Sequence, residues 1–288
     1  MARTSAMPNN EKETMIEIIE RQVVGKKSQE ECEDGIVVTD DFVAVIDGST
    51  SKTDKQFCPS MRNGRYAMTL VAELIKQQLS AEDSVETFCR KATQRIQQCY
   101  QACKADMERL KANPVERMTC SSVVYSAARR EIWFVGDCQA LDCTHGKLYE
   151  NSKPYEQPIA EMRSARIRLD LLDGANAAEY RIKDKGRDFI LPLLREYCKY
   201  QNVTYPVVDG FDIPMNTVKV VDLPASTQEI VLASDGYPFL AKTLGESEER
   251  LAHLLEEDPL LIDKVKMTKG WMKGNRSFDD RAYVRFRL

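Results

Sequence analysis

The sequence has few histidines, which limits the chemistry open to it. His145 and His253 are the only two in 288 residues, and each lies in a polar or helical context typical of a surface position. This scarcity excludes a metal site built from histidines, and no serine or cysteine has a plausible histidine partner. Any bound metal must be held by carboxylates, which predicts a hard cation such as Mg²⁺ or Mn²⁺ rather than zinc.

Other common patterns are absent as well. The nine cysteines include no CxxC pair, so neither a disulfide framework nor a zinc ribbon is predicted, and we expect a reducing cytoplasm. No apolar run approaches the roughly 20 residues that cross a bilayer. The net charge of -4 offers no basic field to a nucleic acid. We therefore expect a cytoplasmic protein with no membrane or nucleic-acid partner, and the sequence leaves its oligomeric state open.

The composition that is present is that of a folded chain, with 43% hydrophobic and 30% charged residues. Residues 1–15 are predicted to be a polar tail, and residues 16–288 a single α+β domain. Within it, residues 151–216 are polar, contain prolines and have too few apolar positions for a core of their own. We expect this segment to be an insertion with short helices at 159–172 and 189–200.

Hydrophobic periodicity predicts the remaining elements. In chain order they are a β-hairpin over 36–46, two long helices at 64–80 and 84–110, antiparallel strands from Ser121 to Glu150, two more strands in 217–236, helices at 246–257 and 258–273, and a closing strand at 281–288. In the last strand apolar residues alternate with charged ones, which predicts one buried and one solvated face.

Aspartates stand at the ends of several apolar strands. Asp47, Asp137 and Asp235 each end such a run, and Asp279 opens the closing strand. A single Asp-Gly is typical of a turn. However, carboxylates that converge on one rim of a sheet repel one another unless a divalent cation neutralises them. The pattern is as consistent with a site for two cations as with a set of turns.

The motifs in order resemble a known family. Glu33-Asp34, "VIDG", two helices, "FVGDC", "VLASDG" and "FDDRAYV" follow one another as in the metal-dependent protein phosphatases of the 2C type, and this chain resembles a divergent, bacterial-like member. The resemblance covers Glu33 to the C-terminus. It implies a four-layer α-β-β-α sandwich, in which two antiparallel sheets pack face to face with helices outside.

The resemblance also implies a function, that of a Mg²⁺- or Mn²⁺-dependent phosphatase. Its substrate would be a phosphoserine or phosphothreonine protein or a small phosphoester. A water bound between two cations would attack phosphorus while the metals stabilise the developing charge.

Residue roles follow from the same resemblance. Asp47 would bridge two metal ions, the Gly48 carbonyl and Glu33 would complete one, and Asp235 and Asp279 would hold the other. Asp34 and Asp137 are further candidate ligands.

This chain departs from the family near the expected site. Ser49-Thr50-Ser51 stands where family members have a histidine or Met-Gly-Gly, and a serine is a poor acid for a leaving group. Phe239 replaces an aspartate that helps to bind a third metal in some members, so a third site is not expected.

The family's phosphate-binding arginine is missing too. Gln29 stands in its region, and Lys26 and Lys27 are the nearest cations. Lysine offers a point charge rather than a bidentate fork. Ser49 and Lys27 are the candidate helpers of the reaction.

Two other functions compete with the phosphatase. The first is a catalytically weak or inactive 2C-like module that binds or regulates, and the retained carboxylates favour the enzyme over it. The second takes "DGSTSKT" as the phosphate turn of an actin-like sugar kinase. Those kinases place one residue between Asp and Gly and have a longer, two-lobed chain, which disfavours that interpretation.

Overall fold

The strands form two antiparallel sheets of five. The structure is a computed structural model, and it describes residues 16–288. The predicted polar tail, residues 1–15, lies outside the described residues. The strands are β1 (Glu17–Val24), β2 (Asp34–Val38), β3 (Phe42–Gly48), β4 (Cys120–Ser126), β5 (Glu131–Val135), β6 (Gln139–Asp142), β7 (Lys147–Glu150), β8 (Lys219–Asp222), β9 (Glu229–Ala233) and β10 (Arg281–Arg287).

Seven α-helices accompany the sheets in the described part of the chain. They are α1 (Asn63–Gln78), α2 (Val85–Ala102), α3 (Met107–Ala112), α4 (Glu156–Leu172), α5 (Ala177–Tyr180), α6 (Lys185–Tyr197) and α7 (Leu244–Glu257). Side chains cap several of them: the Ser84 hydroxyl accepts a hydrogen bond from the Thr87 amide at the start of α2, and Asp184 caps α6 in the same way. None of the helices in residues 16–288 combines the length and apolar character that a membrane crossing requires.

The first sheet has the order β2-β3-β4-β5-β8, and the second has the order β1-β10-β9-β6-β7. The two sheets pack face to face. Val45 and Phe134 from the first sheet and Leu232 and Phe286 from the second share one buried cluster. Antiparallel sheets with alternating side chains bury one face in this way.

Helices cover the outer faces. α1 and α2 pack on the first sheet around Trp133, and α7 packs on the second sheet, where Leu251 and Leu255 lie in one cluster with Tyr283. The order of layers is therefore helix, sheet, sheet, helix. The predicted four-layer α-β-β-α fold is confirmed.

The segment between β7 and β8 contains α4, α5 and α6. Ile167 and Tyr180 of this segment share a small apolar cluster with Leu260 and Ile262. A second cluster lies within the segment and is made of Ile159, Ile190, Leu194, Tyr197, Tyr205 and Val207. A buried ion pair joins α4 to the start of α6, since Arg163 donates two hydrogen bonds to Asp184 Oδ2, at 3.0 and 2.7 Å. Arg163 also donates to the Leu260 carbonyl at 2.9 Å, which ties the segment to the loop after α7. That residues 151–216 are an insertion in a single domain stays a prediction.

Two helix predictions were wrong. The pattern over 84–110 predicted one helix, but the chain turns between α2 and α3, where Lys104 has a φ of 52°. Residues 258–273 are irregular. The Asp258 carboxylate there accepts hydrogen bonds from the backbone amides of Ile262, Asp263 and Lys264, and such side-chain bonds compete with a helix.

The strand pattern also needs two corrections. β1 was not predicted, because its charged residues hide the alternation of an edge strand; it pairs with β10, and Arg287 forms an ion pair with Glu17. The second face of β10 is not solvated as predicted. Tyr283 is fully buried, because β10 lies inside the second sheet and α7 covers its outer face.

Candidate functional site

The ends of strands from both sheets meet at one rim of the sandwich. Asp47 is the penultimate residue of β3 in the first sheet, Asp235 follows β9 in the second, and Asp279 precedes β10. All three line one pocket. Asp34 lies directly opposite Asp47 in the register of β2 and β3. The fold thus brings together four of the predicted carboxylates.

The glycines after Asp47 and Asp235 are needed for close packing. A Cβ on Gly48 would lie 2.3 Å from the Gly64 carbonyl oxygen, and a Cβ on Gly236 would lie 2.2 Å from that of Asp280. Neither glycine has a positive φ. The Asp-Gly pairs are therefore not turns of the left-handed type, and the glycines let a neighbouring backbone approach the aspartates.

Asp47 and Asp235 have no hydrogen-bond donor among residues 16–288, and neither takes part in an ion pair there. Burial raises the pKa of both well above the usual range, and the neighbouring carboxylates add to that rise: Asp34 and Asp137 around Asp47, and Asp47 and Asp137 around Asp235. Buried carboxylates are normally paired or bound to metal. These two have the environment of metal ligands.

Glu33 and Asp34 also have oxygens without partners. Glu33 Oε1 and Asp34 Oδ2 are buried and unsatisfied. The other oxygen of Glu33 contacts the Thr50 hydroxyl, and the Glu33 backbone carbonyl accepts a hydrogen bond from the Gly48 amide at 3.0 Å. Glu33 is thereby held against the end of β3, next to Asp47.

Asp279 differs from these because two lysines neutralise it. Lys26 Nζ lies 3.1 Å from Asp279 Oδ1, and Lys269 pairs with Oδ2. Burial acts to raise the pKa of Asp279, but the two ammonium groups outweigh it and hold the value at about 2. The Asp280 carboxylate accepts hydrogen bonds from the backbone amides of Lys26 and Glu33, at 2.7 and 3.2 Å. It thereby joins the loop between β1 and β2 to the start of β10.

Asp137 is also paired with a lysine. It accepts a hydrogen bond from Ser121 Oγ at 2.7 Å and forms an ion pair with Lys153 at 2.5 Å. Burial opposes the effect of Lys153, but the pKa of Asp137 is still lowered. Carboxylate oxygens of Asp137, Glu156 and Asp235 lie within 4.8 Å of one another. Glu156 comes from α4 and was not predicted.

The two predicted helpers have different surroundings. Ser49 lines the pocket. Lys27 does not: its side chain is 62% exposed and its nearest carboxylate is Glu31, at 3.8 Å. Of the two adjacent lysines, Lys26 and not Lys27 contacts the carboxylates, and a role for Lys27 in the reaction stays a prediction.

Several pocket residues were missed by the sequence analysis. They are Lys52, Lys153, Glu156, Arg187 and Lys269. Lys153 lies in "NSKP", a stretch that resembles the 2C-type family, so that motif was a usable signal. The other residues come from loops and from the 151–216 segment, and no local pattern distinguishes them from surface charges.

Comparison with known proteins finds likeness in structure alone. No family model matches the chain, and no curated protein matches it. Similar solved structures include the serine/threonine phosphatase Stp1 from Staphylococcus aureus, at 14% identity over 100% of this chain and 99% of that chain, with a TM-score of 0.47. The catalytic domain of the serine/threonine phosphatase PstP, in complex with two manganese ions, matches at 14% identity over 95% and 99%, with a TM-score of 0.46.

The likeness is to serine/threonine phosphatases. RsbX in complex with magnesium is similar as well, at 13% identity over 95% of this chain and 100% of that chain, with a TM-score of 0.41. At such identities the comparisons concern the fold, and any activity has to be argued from the residues of this chain.

Proposed function

We propose that this protein is a phosphomonoester hydrolase of the metal-dependent 2C type that uses two divalent cations, Mn²⁺ or Mg²⁺. The observation that carries the proposal is the pair of half-buried carboxylates, Asp47 and Asp235, which have no donor among residues 16–288 and line a pocket together. Oxygen ligands of this kind suit hard cations.

The ligands would come from both sheets. Asp47 would bridge the two ions, with Glu33 and the Gly48 carbonyl on one side and Asp235 and Asp279 on the other. Glu33 Oε1 is buried without a hydrogen-bond partner among the described residues, which supports this assignment. When bound, two such cations lower the pKa of a water and polarise a phosphoryl oxygen.

Other residues of the chain would orient the substrate and its ligands. Asp280 fixes the backbone before Glu33, and Ser121 orients Asp137. Lys153 and Lys269 place positive charge beside the pocket, where it would stabilise negative charge on the phosphoryl group. Asp34 and Asp137 remain additional candidate ligands, and Ser49 a candidate donor to the substrate.

The proposal includes three finer predictions from the sequence: a single domain over 16–288, a cytoplasmic location, and a substrate that is a phosphoserine or phosphothreonine protein or a small phosphoester.

A second candidate function is a binding module without catalysis. The lysine pairs favour it, because Lys26 and Lys269 already neutralise Asp279, and Lys153 neutralises Asp137. A chain that balances its carboxylates with ammonium groups needs less charge from a metal. The enzyme remains the better proposal because Asp47 and Asp235 have no such partner.

Hydrolysis of an aryl phosphate tests the proposal. We expect turnover by the purified protein that requires Mn²⁺ or Mg²⁺ and stops with a chelator, and that is lost in Asp47→Asn and Asp235→Asn. Turnover that both substitutions leave intact would refute the proposed ligands. Bound metal without turnover would favour the binding module.

Lys269→Met separates the two candidates further. Removing one positive charge beside Asp279 should strengthen Mn²⁺ binding by about tenfold if Asp279 is a ligand. Isothermal titration with Mn²⁺ measures this, with Lys264→Met, an exposed lysine paired with Glu257, as the matched surface control. An affinity that falls or does not change would mean that Asp279 serves the lysines and not a metal.

A further inference from the structure

Four cations line the pocket beside its four carboxylates. Lys52, Lys153, Arg187 and Lys269 line it. Lys153 and Lys269 each pair with an aspartate of the cluster. Among residues 16–288, neither Lys52 nor Arg187 has a carboxylate partner. Two cations of the pocket, Lys52 and Arg187, therefore make no salt bridge with its carboxylates.

The backbone fixes the position of both. Arg187 lies in the first turn of α6, and its Nη1 donates a hydrogen bond to the Thr268 carbonyl at 2.8 Å. The Lys52 carbonyl accepts one from Arg195 Nε at 3.1 Å, which joins its loop to α6. Burial, together with the nearby charge of Arg187, lowers the pKa of Lys52. Two half-buried cations that make no salt bridge within residues 16–288 are free to form charge-assisted hydrogen bonds with an anionic ligand.

The shape of the pocket limits what can bind. One wall is formed by Leu194, Tyr197 and Tyr205 of the 151–216 segment, opposite the strand ends that hold Asp47 and Asp235. The pocket encloses about 850 Å³ with its open mouth included, which is an upper bound for its occupant. A small molecule fits a space of this size.

Building on the phosphomonoesterase activity proposed above, we propose that the substrate is a small phosphomonoester with a second anionic group. Lys52 and Arg187 bind that second group, while the phosphoryl group lies at Asp47 and Asp235. Hydrolysis breaks the ester P–O bond and joins the oxygen of water to phosphorus. A proton from that water passes to the leaving alkoxide, so the second anionic group stays on the alcohol product.

Two matched esters test the proposal: ethylene glycol bisphosphate and ethylene glycol monophosphate, which differ only in the second phosphate. With Mn²⁺ present, we expect kcat/KM to be about tenfold higher for the bisphosphate, as charge-assisted hydrogen bonds are worth that much. Lys52→Met and Arg187→Met should each reduce this ratio toward one. Lys55→Met is the matched control, because Lys55 pairs with Glu116 at 3.2 Å and does not line the pocket.

Three results would overturn the proposal. The first is a ratio near one in the unmodified protein. The second is an equal loss on both esters in the variants, since the two cations would then bind the reacting phosphoryl group. The third is a phosphoserine peptide hydrolysed as efficiently as the bisphosphate, which would make a protein the substrate.

Binding to metal-free protein separates this proposal from the proposed activity. If neither ester is hydrolysed, the phosphomonoesterase has failed, but calorimetry with ethylene glycol bisphosphate still decides the site. Binding that weakens about tenfold in Lys52→Met and in Arg187→Met, and not in Lys55→Met, supports it. Binding that is absent, or equal in all variants, refutes it.

Discussion

Asp209 is buried and Asp47 is half-buried, and the chain surrounds the two aspartates with different groups. Asp209 pairs with Arg117 at 2.8 Å and accepts hydrogen bonds from the Asn202 side chain and the Phe211 amide, each at 2.9 Å. Asp47 has no donor among residues 16–288 and faces other carboxylates. Burial raises the pKa of both; Arg117 opposes that rise for Asp209, whereas Asp34 and Asp137 add to it for Asp47.

The difference separates structural from functional carboxylates. A folded chain gives a buried charge hydrogen-bond or ion-pair partners when that charge has only a structural role. A chain leaves a carboxylate without a partner where a ligand supplies that partner. The protein is then less stable in the absence of the ligand. Asp258, whose carboxylate accepts three backbone amides, belongs with Asp209; Asp235 belongs with Asp47.

The largest effect is expected when Asp47 or Asp235 is replaced by a neutral residue of the same shape. In Asp47→Asn and Asp235→Asn we expect phosphatase activity to fall on the order of 1,000-fold. The unfolding midpoint of the metal-free protein should not fall, because the amide removes repulsion and the cost of burying a charge. Activity assays and thermal unfolding measure both. Asp222→Asn, at the exposed end of β8, is the control and should change neither; a clear loss of stability in Asp47→Asn would contradict the assignment.

The reverse result is expected at Asp209. Asp209→Asn leaves Arg117 as a buried cation without a partner, so the free energy of unfolding should decrease by about 3 kcal/mol. Denaturant titration measures the change. Asp212→Asn, on the exposed side of the same loop, should stay within about 0.5 kcal/mol. A decrease at Asp209 no larger than that of the control would mean that the pair contributes nothing to folding.

The smallest effect is expected at a satisfied carboxylate near the surface. Arg109 and Lys55 hold Glu116, and the hydrogen bond from Arg109 is the main cause that lowers its pKa to about 2 from the ordinary value of 4.5. A lowered pKa gives stability that is present above the unfolded value and is lost as pH falls toward about 2. The free energy of unfolding of Glu116→Gln should be lower than that of the wild type by less than about 1 kcal/mol at neutral pH. This difference should disappear as the pH approaches about 2.

Denaturant titrations across that pH range test the prediction, with Glu256→Gln as the control. A difference between wild type and Glu116→Gln that grows as pH falls would show the sign to be wrong.

Local patterns predicted much of the site. Asp47, Asp235 and Asp279 were found because each adjoins an apolar strand, and strand alternation is visible over a few residues. Lys26 was seen only as one of two adjacent lysines, and Lys27 was named as the helper, since the contact that distinguishes Lys26 is with Asp279 at the other end of the chain. Glu156, Arg187 and Lys269 were missed for the same reason: their partners are distant in sequence.

The sequence alone determined the α+β class of the fold and the order of its carboxylates, because both depend on spacings along the chain. The four-layer arrangement followed from the resemblance to the 2C-type family. Only the tertiary structure decided which charges are paired. It satisfied Asp209 and Asp279, left Asp47 and Asp235 without donors among residues 16–288, and brought Lys52 and Arg187 to one pocket. Ion pairing depends on distances between residues of the two sheets and of the 151–216 segment. No local sequence pattern predicts those distances, because the residues are far apart along the chain.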